Sequence, residues 1–278
     1  IFCDTFITRL SRGEGRCTVS RLGYFAEQAT VQIEDAEQII MVGTKAPVSF
    51  FAYPGKASEF SPEGSTQHTL ADVSEDAEDA LQKLADRLNA GSFEPRKTPL
   101  QQPGLGEGEL SSKNLALIFA ELLPVDSIVV DEGGTAGALC FPISENAQPH
   151  DWLTITGGSI GYGLPVAIGA AVACPDRKII CLQGDGGAMY TIQSLWTMAR
   201  ENLDVCIVIL ANRKYQILQV ELSRVGAQSM TKKTLDMMDL TNPDLDFVKM
   251  SESMGVKAAR ASNAGEFNTL FAQAMNER

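Results

Sequence analysis

Basic residues are in short supply: 23 Lys and Arg stand against 35 Asp and Glu, for a net charge of −12. Gripping a nucleic acid takes clustered Lys and Arg to neutralise phosphates, so this balance argues against such a partner. No apolar run approaches the roughly 20 residues that span a bilayer as a helix, so no membrane segment is expected. Histidine occurs twice, and the six cysteines, at 3, 17, 140, 174, 181 and 206, contain no C-x-x-C pair, which argues against a zinc site. Cys181 and Cys206 fall inside apolar runs and read as small core residues of a reducing, cytoplasmic compartment. Internal repeats and low-complexity tracts are also missing. Gly161-x-Gly163 falls short of the full dinucleotide fingerprint and follows no suitable strand, which argues against NAD. What is there is a 278-residue chain with 44% apolar residues, ordinary for α/β proteins and enough for one or two cores.

The most informative segment is the turn Gly184-Asp185-Gly186. Before it, Lys178 to Gln183 is a short apolar stretch with β-branched residues, which predicts a buried strand. After it, Met189, Ile192, Leu195, Trp196 and Ala199 recur at helical spacing, which predicts one helix from Ala188 to Glu201. Val205 to Leu210 predicts a second buried strand, with Asn212 just past its end. In such a βαβ unit, ligands bind outside the carboxyl ends of the strands. Asp185 and Asn212 would meet there, and a carboxylate, an amide oxygen, a backbone carbonyl, phosphate oxygens and water suit the oxygen shell of Mg2+. Glycines at 184, 186 and 187 would let the backbone approach phosphates at a helix N-terminus. By itself the tripeptide reads more readily as an ordinary strand-to-helix turn with an Asp near the helix start.

Three stretches taken together carry a resemblance. They are Thr156-Gly157-Gly158-Ser159-Ile160-Gly161-Tyr162-Gly163-Leu164-Pro165, Gly184-Asp185-Gly186-Gly187-Ala188-Met189-Tyr190, and Ala211-Asn212-Arg213-Lys214-Tyr215. With Val129 to Thr135 ahead of them, residues 110–278 resemble the diphosphate-binding domain of thiamine-diphosphate-dependent enzymes, in the acetolactate synthase large-subunit and benzoylformate decarboxylase branch. The resemblance implies an α/β fold, a parallel sheet flanked by helices, preceded by part of a Rossmann-like middle domain in residues 1–92 and a linker at 93–109. It implies a thiamine diphosphate cofactor held through Mg2+, with Asp185, the Asn212 side chain and the Lys214 carbonyl as metal ligands. Gly134, Thr135, Gly187 and Ala188 would meet the diphosphate, the Gly158 carbonyl the aminopyrimidine, and Ile160 would prop the cofactor into its bent form. Ser159, Gly186 and Tyr215 complete the expected cofactor contacts. The family motif ends in two asparagines, and Ala211 replaces the first; the metal-binding second one is Asn212.

The implied activity is decarboxylation of a 2-oxo acid, or its joining to a second carbonyl compound, as a homodimer or tetramer. In the family, the glutamate that activates the cofactor lies on an N-terminal pyrimidine-binding domain and comes from a neighbouring subunit, and residues 1–278 do not resemble that domain. The chain is therefore expected to be a fragment, lacking also its last strand and inactive alone, and no residue supports FAD. The opening Asp4 to Leu10 reads as mid-domain sequence, and the first residue is Ile1, which leaves targeting unreadable.

Upstream, Glu37 to Gly43 predicts a strand ending in glycine, and Ser74 to Asn89 a helix whose acidic start, Glu75 to Asp79, complements its dipole rather than binding metal. Gly91 to Gly108, with Pro95, Pro99 and Pro103, predicts the linker. A helix is predicted after the metal loop, over Tyr215 to Val225. His150 precedes the Gly157-Gly158 segment and is a candidate acid or base near the cofactor edge, against the commoner structural role of a loop histidine. Glu132 either touches substrate or caps its turn. Two other readings stay open: a non-catalytic thiamine-diphosphate-binding homologue or module, and an unrelated nucleotide-binding α/β protein.

Overall fold

A computed structural model describes residues 1–226 and 230–277. Residues 227–229 and Arg278, both inside the span assigned to the cofactor domain, lie outside the described residues. The chain forms two compact units, one of Ile1–Thr5 and Val19–Arg96, the other of Phe6–Thr18 and Lys97–Arg278. The strands of the described residues, in chain order, are β1 (Phe2–Cys3), β2 (Arg9–Arg12), β3 (Ser20–Arg21), β4 (Gln38–Val42) and β5 (Thr66–Ala71). They continue as β6 (Ser127–Glu132), β7 (His150–Thr154), β8 (Ile179–Gly184) and β9 (Val205–Leu210).

In the first unit β1 pairs with β3 and β4 with β5, both parallel. Its one buried cluster among the described residues is small: Leu22, Ala26, Ala29, Ile33 and Phe60 pack around the helix Ala26–Ile33. The predicted strand before Gly43 is present as β4. The acidic helix spans Ala77–Arg87, capped by Asp76, whose side chain accepts the Asp79 N–H at 3.0 Å. Its apolar stripe is only partly covered: Ala77, Ala80 and Leu84 are half-buried, but Leu81 is 48% and Leu88 66% exposed.

The second unit is a five-stranded sheet of order β2-β7-β6-β8-β9, parallel except for β2, with helices on both faces. This is the expected α/β fold. The apolar runs of β6 and β8 are buried on both sides, and alternation sorts their side chains. Val129, Ile180 and Leu182, with Trp152 of β7, face a layer with Phe119, Phe267 and Phe271, built on helices Ser112–Glu121 and Ala264–Asn276. Val130, Ile179 and Cys181 face the other way, toward Leu164, Ala167, Leu195 and Met198. Burial pushes the Cys181 thiol well up and the Cys206 thiol to about 12, so both behave as small apolar residues.

Three local details depart from the periodicity. The strand before the Gly-Asp-Gly turn starts one residue later and includes Gly184. The single helix predicted from Ala188 is two, Asp185–Thr191 and Ser194–Arg200, joined through Ile192 and Gln193 by hydrogen bonds of three-residue span, Leu195 N–H to Ile192 O and Trp196 N–H to Gln193 O, each 3.1 Å. The break changes which positions face the core: Ala188, Leu195 and Met198 are buried, whereas Met189 and Trp196 are exposed. The strand β2 had no sequence signal, since Arg9-Leu10-Ser11-Arg12 is mostly polar. It is held to the edge of β7 by Arg9 and Ser11, which both donate to the Asp151 carboxylate. The Pro- and Gly-rich stretch runs along this unit from Lys97, its amides donating from Thr98 to Arg16 O, from Gln101 to Asn146 O and from Gly104 to Glu121 Oε2.

The ring of Phe119 meets Trp152 edge-on at 6.1 Å and lies 6.0 Å from Phe271, with no exposure to solvent. Replacing it by alanine removes the contact between one helix layer and the sheet. Phe119→Ala is expected to lower unfolding stability by about 3–5 kcal/mol in a denaturant titration, and a loss under about 1 kcal/mol would contradict this packing.

Candidate functional site

The register of the parallel strands brings four loops to one level. Asp131 pairs with Thr154, Glu132 with Gln183 and Gly184 with Leu210, so β6, β7, β8 and β9 end together. The segments that leave these ends are Gly133 to Thr135, Ile155 to Tyr162, Asp185 to Ala188 and Ala211 to Tyr215. All the cofactor residues expected from the sequence lie on them.

Asp185 opens its helix rather than preceding it, so the helix begins three residues earlier than predicted and Gly184 is its N-cap. The carboxylate is only 4% exposed. Oδ1 accepts the Gly186 N–H at 2.8 Å, and Oδ2 accepts the Arg213 N–H at 2.6 Å, which ties the Gly-Asp-Gly turn to the loop after β9. Among the described residues no cationic side chain pairs with Asp185. The two amides offset part of the cost of burying this charge, and a cation beside it would offset more.

Asn212 is half-buried; its Oδ1 accepts the Lys214 N–H at 3.3 Å and its Nδ2 donates to Gln216 Oε1 at 3.3 Å. The loop between them turns through Arg213 at φ 61°. It is pinned from outside, with Tyr215 N–H bonded to Met238 O at 2.9 Å and Leu240 N–H to Arg213 O at 3.0 Å. Lys214 is exposed. The helix expected after it spans Gln216–Arg224. Tyr215 leans on the turn so closely that a Cβ at Gly186 would come within 2.3 Å of its ring.

On the β6 side, Gly134 at φ 56° starts the short helix Gly134–Gly137, with open space where a Cβ would be, and Thr135 is half-buried behind it. On the β7 side, Gly157, Gly158 and Gly161 all take positive φ, and Gly157 also faces open space. Ser159 is exposed, and so is Ile160, at 59%, an apolar β-branched side chain standing clear of the loop.

An oxygen-only donor set beside open, glycine-lined backbone fits a hard divalent cation bearing phosphate. Among the described residues no three His, Cys, Asp or Glu side chains cluster as a metal site, so a cation here would rest on Asp185, Asn212 and backbone oxygen.

Two further residues were read differently from sequence. His150 is the first residue of β7 and pairs with Ser127, the first of β6. It therefore lies at the amino ends of the strands, about 13 Å from the carboxyl-end loops at ~3.3 Å per residue. The candidate catalytic role is corrected on that ground: the chain passes through the sheet between His150 and the glycine segment. Its Nδ1–H donates to Gln148 O at 2.7 Å, and burial lowers its pKa to about 4, against the raising effect of that bond and with the Arg12 charge assisting. Glu132, by contrast, is at the site level and 9% exposed. Beside it Gln183, fully buried, was missed, although an amide ending an apolar run was a signal that could have found it.

A family model described as thiamine pyrophosphate enzyme, C-terminal TPP binding domain, matches residues 133–278. A Mycobacterium tuberculosis protein, IlvX, whose own assignment as an acetolactate synthase large subunit is provisional, is 49% identical over 266 residues, 95% of this chain and 51% of that protein. The benzoylformate decarboxylase of Pseudomonas aeruginosa is 29% identical over 184 residues, 65% of this chain and 32% of that protein. Among solved structures, the thiamine diphosphate-dependent 4-hydroxybenzoylformate decarboxylase of Rhodococcus jostii RHA1 aligns with a TM-score of 0.74 at 25% identity, covering 95% of this chain and 52% of that one. The benzoylformate decarboxylase of Polynucleobacter necessarius shares the fold with a TM-score of 0.78 at 23% identity, covering 99% of this chain and 54% of that one. The chain thus spans about half the length of the relatives that it matches from end to end.

The depressed His150 pKa makes stability depend on pH. Between its ordinary value of 6.5 and about 4 the unfolded chain binds a proton that the folded chain refuses, so stability is retained above pH 6.5 and falls as the pH drops toward 4. His150→Gln is expected to flatten that part of the stability profile, by up to about 3 kcal/mol, in denaturant titrations across the range; an unchanged slope would show that the imidazole takes up its proton alike in the folded and unfolded chain.

Proposed function

The chain belongs to the thiamine pyrophosphate enzymes, and from that membership we propose that it is the cofactor-diphosphate-binding half of a thiamine diphosphate- and magnesium-dependent 2-oxo acid decarboxylase or carboligase similar to acetolactate synthase. The observation that carries the metal part of this reading is the buried Asp185 carboxylate, held by two backbone amides and paired with no cationic side chain.

In this reading Asp185, Asn212 Oδ1 and the Lys214 carbonyl hold Mg2+. The amides of Gly134, Thr135, Gly187 and Ala188 hold diphosphate oxygens, with the first turn of Asp185–Thr191 adding its N-terminal partial charge. Gly186 gives Tyr215 room to close over the turn, Gly158 offers its carbonyl to the aminopyrimidine, and Ser159 and Ile160 line the cofactor. When bound, thiamine diphosphate supplies the electron sink for cleavage of the bond beside a 2-oxo group. The protein's share is to fix the cofactor's shape and to keep the pocket dry. A β-branched side chain such as Ile160 is stiff at χ1 and suits a prop.

The rest of the pocket belongs to the same proposal: a pyrimidine-binding domain with an activating glutamate, supplied from a neighbouring subunit of a cytoplasmic homodimer or tetramer. The exposure of Ile160 at 59%, Met189 at 41% and Tyr190 at 60%, all on segments at the site, supports a covering partner there.

Titration calorimetry with thiamine diphosphate is the test. Binding is expected with Mg2+ and is expected to vanish on chelation. Asp185→Ala should weaken it by at least about a hundredfold, more than the loss of an outer-shell partner usually does. If magnesium-dependent binding survives that substitution unchanged, the ligand assignment is wrong.

A further inference from the structure

The segment that carries Gly158 and Ile160 has no ladder of its own. It passes through one short turn, Thr156–Gly158, and takes positive φ at Gly157, Gly158 and Gly161. Such a backbone stays in one shape only if its polar groups are tied to something rigid. The rigid partner is Glu132, the last residue of the central strand β6. Its Oε1 accepts the Gly161 N–H at 2.5 Å and its Oε2 accepts the Gly163 N–H at 2.6 Å. Charge-assisted bonds of this length from a buried carboxylate are strong, and this one uses both oxygens. On the opposite side of the loop, the Thr191 hydroxyl donates to Gly161 O at 2.9 Å.

The surrounding glycines make room for the carboxylate. A Cβ at Gly163 would come within 2.9 Å of Glu132 Oε2, and one at Gly187 within 2.9 Å of Oε1. Glu132 thus sits between the first turns of two helices, Gly163–Ala173 and Asp185–Thr191, where their N-terminal ends favour a negative charge. Both oxygens bind the main chain, which supports the reading of Glu132 as a residue that fixes backbone over the one in which it touches substrate.

We infer that Glu132 is a positioning residue for the pyrimidine side of the cofactor site: by binding the Gly161 and Gly163 amides it sets the loop from which the Gly158 carbonyl and the Ile160 side chain project. This rests on the proposed function above. It separates two halves of the site, because the diphosphate side is built by Asp185, Asn212 and the amides of Gly134, Thr135, Gly187 and Ala188, whereas the Glu132 oxygens bind the Gly161 and Gly163 amides. A glutamine at 132 keeps the shape but turns an NH2 group toward one of the two amides, so one bond becomes a repulsion.

The experiment compares two probes on the same chain by calorimetry with Mg2+: thiamine diphosphate, which uses both halves, and inorganic diphosphate, which uses one. Glu132→Gln is expected to raise the Kd for thiamine diphosphate roughly ten- to a hundredfold and to leave that for inorganic diphosphate within about twofold. Equal affinity for thiamine diphosphate, or an equal loss for both probes, overturns the inference. Wild-type protein that binds neither probe overturns the proposed function instead. If circular dichroism shows that E132Q does not fold, Thr191→Val, which loosens the same loop from its other side, must produce the selective loss, and an unselective one overturns the inference.

Discussion

The in-register parallel pairing of β6 with β7 and β8, and of β8 with β9, is the constraint on which the site depends. Ladder bonds fix which residue lies beside which, and burial on both faces forbids a slip, because a shift by one residue would send every side chain to the opposite layer. Val129 and Val130 show the rule directly, since they belong to different cores. With the register locked, Glu132, Thr154, Gly184 and Leu210 come out at one level, and loops far apart in sequence share one rim. The loop after β9 and the Gly-Asp-Gly turn meet because β8 and β9 are neighbours, and the Arg213 amide can then reach Asp185.

The two ends of the sheet solve the burial of charge in different ways. At the amino end Asp151 is surrounded by donors. Burial works to raise its pKa, but hydrogen bonds from Ser11, Arg177 and Arg9 overcome that and hold the carboxyl below its ordinary value. That carboxylate is neutralised internally and staples β2 to β7. At the carboxyl end Asp185 and Glu132 are bound by backbone amides, not by cationic side chains. Glycines at 163, 186 and 187 give these carboxylates and Tyr215 the space to approach the main chain. The glycine content of the site therefore serves close packing.

Much of the fold was legible. The unbroken apolar runs of β8 and β9 announce strands covered on both faces, and Asp185 and Asn212 follow them at the end where α/β proteins bind ligands. The helix after Asp185 was harder. Its apolar positions keep helical spacing through Trp196, and nothing local marks the break at Ile192 and Gln193; the break arises because the second segment packs Leu195 and Met198 against a different part of the core. The strand β2 was invisible because an edge strand needs apolar residues on one side at most, and its attachment comes from Asp151, far away in sequence. His150 was misplaced for a related reason. Nearness in sequence to Gly157 suggested nearness in space, but an extended strand intervenes and carries the two to opposite ends of the sheet.

What the sequence by itself determined was the family, the α/β class and the chemical character of the site, because these rest on residue types in a fixed local order: a carboxylate between glycines, an amide after a strand, a glycine-rich run before a helix. Only the tertiary structure decided what each acid does. Asp185 and Glu132 are both carboxylates at the carboxyl end of the sheet, each bound by two backbone amides, yet Asp185 is held by its own turn and by the loop after β9 that carries Asn212, and Glu132 by the glycine-rich segment before the helix Gly163–Ala173. That difference comes from the contacts between strands and helices distant in the chain, since the partners of a buried charge are set by what folds against it.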